Sequence, residues 1–202
     1  MKRFFFLVFY LLIYPSSVLS ENFKFQKLIK ANGPWGSSFI NNDELIFTEK
    51  SGKIKIVNIN SKKIIEIQHN LNFLVHGQGG LLDILYKDDF VYISYSENRG
   101  DGKSSTSIAK AKLINNRLSF KNIFQAEPPI DSGYHFGSRL AIKDNYLYSS
   151  AGERGMGMIA QDTTKHPGSI IRIYLDGSIP KDNPKFEGKS KWLPEIYQIG
   201  VR

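Results

Sequence analysis

Short runs of alternating apolar and polar residues fill most of the chain, and they constrain its fold more than any other feature. Leu45 and Phe47 alternate with polar neighbours, and Ile54 and Ile56 do the same farther on. Side chains of a β-strand point alternately to its two faces, so a period of two predicts half-buried strands. No longer window after position 20 shows a helical period. The sequence therefore predicts an all-β protein.

The predicted strands fall into three groups of four, separated by turn signals such as Ser51-Gly52. Each group opens with a short strand of small residues after a glycine-bearing loop, which suits the crowded inner edge of a β-propeller blade. The groups begin at residues 35, 80 and 137, which are 45 and 57 residues apart, close to the roughly 40–50 residues of a blade. We expect about three blades; a sandwich of antiparallel strands is the alternative. The predicted strands are 35–40, 44–49, 53–58 and 63–69, then 80–86, 90–95, 107–114 and 117–124, then 137–142, 146–151, 169–175 and 195–199.

Three blades do not close a ring, because propellers typically contain four to eight. An open ring would also leave an unpaired sheet edge. The segment from Phe23 to Ile29 reads as one more strand before the first group, placed as if to complete a final blade. We therefore expect residues 21–202 to be the N-terminal part of a longer propeller domain.

Residues 1–20 have the pattern of a secretory signal peptide. Lys2 and Arg3 supply its charged start, residues 4–14 are an unbroken apolar run, and Ser20 ends a stretch of small residues. The apolar run is shorter than the roughly 20 residues of a membrane-spanning helix. We expect cleavage after residue 20 and export of a soluble chain, secreted or periplasmic, without stable membrane insertion. An uncleaved N-terminal anchor is the alternative.

The composition excludes several kinds of site. The chain has no cysteine, so it contains no disulfide, thiolate metal site or cysteine nucleophile. Its formal net charge of +8 falls to +6 when Lys2 and Arg3 leave with the signal peptide. The remaining lysines are scattered and do not form the basic stripe with interleaved aromatic residues that nucleic-acid binders usually carry. We expect a solvated basic surface and no nucleic-acid partner.

Residues 134–155 contain the densest set of candidate functional side chains. His135 stands before a predicted strand, Arg139 lies within it, and Glu153 follows the next strand. Because the ends of paired strands lie together, an imidazole, a guanidinium and a carboxylate could point at one ligand. A hydrogen-bonded structural histidine is the alternative. Arg154, beside Glu153, is expected to lie in solvent.

A second candidate lies in the glycine-rich loop HGQGG. Gln78 stands there between glycines, which let a backbone approach a ligand closely. Its amide offers both a hydrogen-bond donor and an acceptor. The loop therefore predicts a ligand contact at Gln78, with a plain tight turn as the alternative.

Six segments of the chain match a known family in their order. They are HGQGGLLDI, YHFGSRLAI, SSAGERG, AQDTTKHPGSIIRI, LDGSIPKDNPKF and PEIYQIGVR. In this order they resemble the soluble pyrroloquinoline-quinone (PQQ)-dependent aldose sugar dehydrogenases of the glucose/sorbosone dehydrogenase family. The resemblance runs from about Pro34 to the last residue. It implies a six-bladed propeller whose cofactor lies flat over the channel mouth, with calcium bridging it to the protein.

The resemblance also implies a role for each matching residue. His135 matches the base that takes the proton of the sugar's anomeric hydroxyl while hydride passes to PQQ, which yields a lactone. Glu153 matches the acidic partner of that histidine, a position where the family often has aspartate. Gln78 matches a glutamine that contacts the quinone, and Arg202 matches an arginine that pairs with the cofactor's anionic groups. Gln161 matches a residue that touches the sugar.

Part of the family's pattern lies beyond the last residue. The asparagine that pairs with the arginine would come next, and the calcium ligands also follow Arg202. We therefore expect residues 21–202 alone neither to bind PQQ tightly nor to oxidise sugar. The particular aldose and the electron acceptor stay open. The alternatives are a non-enzymatic propeller that binds sugar or protein, and a calcium-dependent lactonase, which needs several carboxylates around its metal where only Glu153 and Asp162 are candidates.

Overall fold

A computed structural model describes residues 24–202, and its strands form three blades. Blade 1 contains β1 (Pro34–Phe39), β2 (Glu44–Glu49), β3 (Lys53–Asn58) and β4 (Ile64–His69). Blade 2 contains β5 (Leu81–Lys87), β6 (Phe90–Asn98), β7 (Ser104–Ile114), β8 (Arg117–Leu118) and β9 (Lys121–Gln125). Blade 3 contains β10 (Gly137–Lys143), β11 (Tyr146–Ala151), β12 (Ser169–Tyr174) and β13 (Ile196–Ile199). The one helix in the described range is a 3-10 turn at Gly157–Gln161, so the all-β prediction is confirmed.

The first strands of the blades lie side by side at the inner edge of the molecule. Within each blade, consecutive strands of the main path pair antiparallel. β5 contacts both β1 and β10, as expected for the inner strands of neighbouring blades. This arrangement brings the loops that precede the inner strands to one region of the surface.

Two apolar cores fill the spaces between the blades. Ile46, Ile54 and Ile93 belong to the core between blades 1 and 2, whereas Tyr92 and Leu147 belong to the core between blades 2 and 3. Tyr92 and Ile93 are consecutive residues of β6 and enter opposite cores, because strand side chains alternate between faces. Blade 2 is thus packed on both faces, which holds the inner strands of all three blades in fixed relation.

A buried hydroxyl on the second strand of blades 1 and 2 links each blade to the next. It accepts a hydrogen bond from a backbone N–H at the bulge of its own first strand, and it donates one of 2.6 Å to a carbonyl of the next blade's first strand. Bulges shift the register at this place in β1, β5 and β10. Because buried polar groups need partners, the hydroxyls fix where the following inner strand lies. The linked sets are Thr48 with Gly36 and Leu82, and Ser94 with Asp83 and Ser138.

The predicted strand 117–124 is divided in the structure. β8 pairs with β7 and, in parallel, with β4 of blade 1, whereas β9 returns to pair with β7 alone. The break falls at Phe120, whose backbone N–H and carbonyl are both bound by the side-chain amide of Asn70 (2.8 and 3.1 Å). The amide replaces a strand partner at this residue, so the ladder is interrupted.

The strand predicted at Phe23–Ile29 is wrong for the residues that can be described. Residues 24–30 form no strand, and Leu28 and Ile29 instead line an apolar cavity of about 260 Å³ with Trp35 of β1. Apolar side chains of this segment pack against β1, but no neighbouring strand pairs with its backbone. Phe23 and the predicted signal peptide lie outside the described residues. None of the helical structure in residues 24–202 is long and apolar enough to cross a membrane.

Candidate active site

His135 lies in the loop between β9 and β10, in a left-handed backbone conformation (φ 44°) that non-glycine residues rarely adopt. Its N–H donates to the side-chain oxygen of Gln78 (2.9 Å), and its carbonyl oxygen accepts from the N–H of Arg154 (3.3 Å). A Cβ on Gly152 would lie 2.0 Å from the same carbonyl oxygen. Strained backbone persists where its surroundings hold it, and these contacts hold His135.

The imidazole of His135 pairs with the carboxylate of Glu153, which follows β11. Nδ1 lies 2.6 Å from Oε1, and the two side chains are 24% and 10% exposed. A carboxylate accepts hydrogen bonds, so Nδ1 carries a proton and donates it to Oε1. The guanidinium of Arg202 lies 3.2 Å from Nε2 and can only donate, which requires the same tautomer. In this geometry Nδ1 donates to Glu153, and Nε2 faces Arg202.

Gln78 reaches His135 because two glycine-bearing loops pack backbone to backbone. A Cβ on Gly77 would lie 2.4 Å from the carbonyl oxygen of Gly133, and the N–H of Gln78 donates to the same oxygen (2.7 Å). The side-chain oxygen of Gln78 is engaged by His135, so its NH₂ group is the part available to a ligand. The loop is both a tight turn and a support for the histidine.

Gln161 lies at the end of the 3-10 helix. Its Nε2 would lie 3.2 Å from a Cβ placed on Gly200, and its exposed side chain lines an open cavity of about 410 Å³ with Met158 and Lys191. The structure therefore places Gln161 beside the chain segment that ends in Arg202. It does not bring Gln161 into hydrogen-bonding contact with His135.

Asp162 is engaged by its own turn. Thr164 donates to Oδ1 through both its N–H (3.0 Å) and its hydroxyl (2.6 Å), and Lys165 lies 3.0 Å from Oδ2. These contacts, those of Thr164 first, lower the pKa of the Asp162 carboxyl to about 2. Asp162 is thus a turn-stabilising residue. Between residues 24 and 202 no group of three or more histidine, aspartate or glutamate side chains could hold a metal ion.

Two arginines lie where the sequence did not place them. Arg139 does not join the His135–Glu153 pair. Its guanidinium lies 3.2 Å from Asp83 of blade 2, and its side chain is 68% exposed. Arg154, expected in solvent, is buried and stacks on the ring of Phe136 at 3.6 Å. Glu153 and Arg154 are consecutive and both buried. The burial of Arg154 depends on contacts with Ser104 and Ser132, which are distant in the chain, so no local pattern shows it.

The chain is part of a β-propeller and carries a histidine–carboxylate pair in a loop next to an inner strand. The sequence model described as Glucose / Sorbosone dehydrogenase matches residues 31–202, and the chain belongs to this family. It is 31% identical over 183 residues to aldose sugar dehydrogenase YliI of Escherichia coli K12, covering 86% of this chain and 49% of that protein. It is 29% identical over 219 residues to quinoprotein glucose dehydrogenase B of Acinetobacter calcoaceticus, covering 91% and 45%. The chain thus spans about half the length of these relatives.

Solved structures agree with this assignment. A crystal structure of glucose dehydrogenase superposes with a TM-score of 0.78 at 31% identity, covering 85% of this chain and 52% of that one. The PQQ-bound aldose sugar dehydrogenase of Streptomyces coelicolor superposes with a TM-score of 0.70 at 23% identity, covering 83% and 50%, which shows a shared fold. The predicted family and the partial β-propeller are confirmed.

Proposed function

We propose that this protein is part of a PQQ-dependent oxidoreductase that oxidises the anomeric C1 hydroxyl of aldose sugars to lactones. The observation that carries the proposal is the His135–Glu153 pair, with the ring proton on Nδ1 and a lone pair on Nε2. Membership of a sugar dehydrogenase family supports it.

The described residues fit PQQ, a flat cofactor with several carboxylates. Arg202 supplies a guanidinium that suits carboxylates, and Gln78 supplies a free NH₂ group next to the histidine. Gly77 and Gly133 pack backbone to backbone and carry no side chains. A flat ring could therefore approach the backbone of the two loops that contain them. The calcium ligands are expected beyond Arg202.

Each residue has a part in the proposed reaction. His135 Nε2 takes the proton of the C1 hydroxyl, acting as a general base. Glu153 holds the ring through Nδ1–H and stabilises the positive charge that the ring gains. PQQ, when bound, supplies the acceptor for the hydride from C1, so the sugar loses one proton and one hydride in forming the lactone. Gln161 is proposed to contact the sugar from the neighbouring loop.

Further parts of the proposal concern the whole protein. We propose that residues 1–20 direct export to the periplasm or the exterior and are then removed. The electron acceptor that reoxidises the cofactor stays unidentified in this proposal. Within residues 24–202, Asp162 is held by Thr164 and does not join Glu153 in the cluster of carboxylates that a calcium-dependent lactonase would need.

Dye-linked oxidation of aldoses by the intact protein, reconstituted with PQQ and calcium, tests the proposal. We expect His135→Gln to lower kcat by roughly 10²–10⁴-fold, the usual contribution of a general base, with PQQ binding retained. His69→Gln is the matched control, because His69 hydrogen-bonds Gly52 in blade 1, and it should keep wild-type activity. A wild-type protein that binds PQQ and oxidises no aldose would refute the proposal and favour a non-enzymatic binding propeller.

A further inference from the structure

Arg154 is a buried arginine beside the His135–Glu153 pair, and no acidic side chain of residues 24–202 forms an ion pair with it. It is only 3% exposed, and burial lowers the pKa of its guanidinium to about 10. The group is therefore still charged at neutral pH. Burying a charge without a counter-ion costs free energy unless hydrogen bonds compensate it, so the partners of the guanidinium indicate its role.

The guanidinium of Arg154 binds the loop that carries His135. Nε donates to the carbonyl of Tyr134 (3.0 Å), and Nη2 donates to the carbonyl of Ser132. From the other side, Ser104 at the start of β7 accepts from Nη1 through its carbonyl (2.9 Å) and from Nη2 through its hydroxyl (3.0 Å). The plane of the guanidinium lies over the ring of Phe136. Arg154 thus ties the loop to blade 2.

These contacts surround His135 without touching its imidazole. Tyr134 and Phe136 are the residues on either side of His135, and the N–H of Arg154 donates to the carbonyl of His135 itself. The preceding residue, Glu153, binds the ring. The turn at Glu153-Arg154 therefore fixes the position of the His135 backbone and the orientation of its imidazole.

We propose that Arg154 is a positioning residue. It fixes the backbone of the His135 loop so that the imidazole meets Glu153 with its proton on Nδ1 and with Nε2 unprotonated. The inference rests on the proposed function. A lysine could keep the charge but not the forked set of donors, and loss of the fork would release two loop carbonyls at once. Small misplacement of a catalytic group can lower a rate by about 10²-fold.

The Nδ1–H proton of His135 reports this positioning directly, without cofactor or substrate. The experiment uses the intact protein labelled with ¹⁵N-histidine, in which His135→Gln identifies the resonance among the four histidines of residues 1–202. We expect Arg154→Lys to broaden or shift that resonance strongly. In the protein reconstituted with PQQ and calcium, kcat and kcat/KM for the aldose should fall together, as for an interaction needed in the transition state.

The chain offers two closely matched controls. Arg99 donates to the hydroxyl of Ser105 on the same strand, as Arg154 does to Ser104. It pairs with Glu127 at the start of the loop between β9 and β10, but it does not bond Ser132, Tyr134 or His135. Arg99→Lys and Ser105→Ala should leave the resonance and kcat unchanged, whereas Ser104→Ala should change both in the direction of Arg154→Lys, to a smaller extent. If Arg154→Lys does not fold, Ser104→Ala alone tests whether Arg154 positions His135.

Two outcomes are distinguishable. An unchanged His135 Nδ1–H resonance with an unchanged kcat in folded Arg154→Lys would overturn the inference and leave the proposed function intact. A wild-type protein without aldose oxidation would refute the proposed function, while the resonance of the same variants still decides whether Arg154 positions His135.

Discussion

At the scale of single residues, the account depends on which nitrogen of His135 carries a proton. Glu153 accepts from Nδ1 at 2.6 Å, and Arg202 faces Nε2. A carboxylate can only accept, so it selects one tautomer, whereas an amide in its place could accept or donate. We therefore propose that Glu153 acts through the acceptor oxygen that it offers to Nδ1, rather than through its size.

Glu153→Gln is expected to lower kcat for aldose oxidation by roughly 10²-fold or more, because an amide neither enforces the tautomer nor stabilises the charged ring. Steady-state kinetics of the reconstituted intact protein measure this effect, together with PQQ binding, which should change little. The exposed Glu187→Gln provides the control. Wild-type kcat in Glu153→Gln would show that the carboxylate has no part in the reaction.

Gly152 is the residue that most narrowly limits the position of the His135 loop. An alanine at Gly152 would place a Cβ 2.0 Å from the His135 carbonyl oxygen, so the loop must move. We expect Gly152→Ala to lower the free energy of unfolding by about 1–3 kcal/mol, as overpacking does, and to lower kcat by about 10²-fold. Chemical denaturation and the dye-linked assay measure the two effects.

Gly188→Ala separates the loss of stability from the loss of geometry. Gly188 has a φ of +73° and open space around it, so alanine there costs roughly 1–2 kcal/mol through backbone strain without touching the site. Its kcat should match that of the wild type. Equal kcat in both glycine variants would contradict the assigned role of Gly152.

At the scale of strands, the buried hydroxyls connect neighbouring inner strands and thereby place the loops of the site. Ser94 accepts from Asp83 N–H and donates to the carbonyl of Ser138 at the start of β10. Removing the hydroxyl leaves two buried backbone groups without a partner. β10 directly follows the His135 loop, so this interface supports the site.

Ser94→Ala is expected to lower the free energy of unfolding by about 1–3 kcal/mol, the cost of buried polar groups left unpaired. Urea denaturation of the intact protein measures the change. Ser190→Ala alters an exposed serine and should change stability little. If both variants have wild-type stability, the hydroxyl does not hold the blades together.

The strands were largely predictable from the sequence, and the side-chain contacts of the site were not. Alternation and turn residues located nearly every strand, because both are local signals. The break in 117–124 depends on Asn70, a residue distant in the chain, and no local pattern could show it. The pairing of Arg139 with Asp83 likewise depends on two inner strands lying side by side. The burial of Arg154 was missed for the same reason.

At the scale of the whole molecule, a histidine–glutamate pair fastens blade 3 to the end of blade 2. His166 accepts from the N–H of Glu127 at Nδ1 (2.9 Å), and its Nε2 lies 3.6 Å from Glu195. The imidazole lowers the pKa of the Glu195 carboxyl, although burial opposes the shift. A carboxyl whose pKa is lower in the folded state stabilises that state above its unfolded pKa, and this contribution is lost as the pH falls.

Glu195→Gln should therefore lower the free energy of unfolding at neutral pH, on the order of 1 kcal/mol for such a pair, and the difference from the wild type should disappear as the pH falls below about 4. Urea denaturation across this range measures it. Glu66→Gln alters an exposed pair with Lys53 and should change the free energy of unfolding little, because exposed ion pairs contribute little to stability. A difference that grows on acidification would contradict the sign of the shift.

Residues 21–202 by themselves are expected to show no aldose oxidation. The chain spans about half the length of its curated relatives, and we expect further cofactor and calcium contacts in residues after Arg202. The dye-linked assay of purified residues 21–202, with PQQ and calcium added, measures this. Turnover comparable to that of the intact protein would show that three blades suffice.

The most direct test of the central claim is a crystal structure of the intact protein with PQQ and calcium. We predict that the cofactor ring lies over the inner strands, against Gln78 and Arg202, with His135 Nε2 directed toward the space left for the sugar and Nδ1 still bound to Glu153. PQQ bound elsewhere, or a His135 ring turned into the packed interior, would contradict the account.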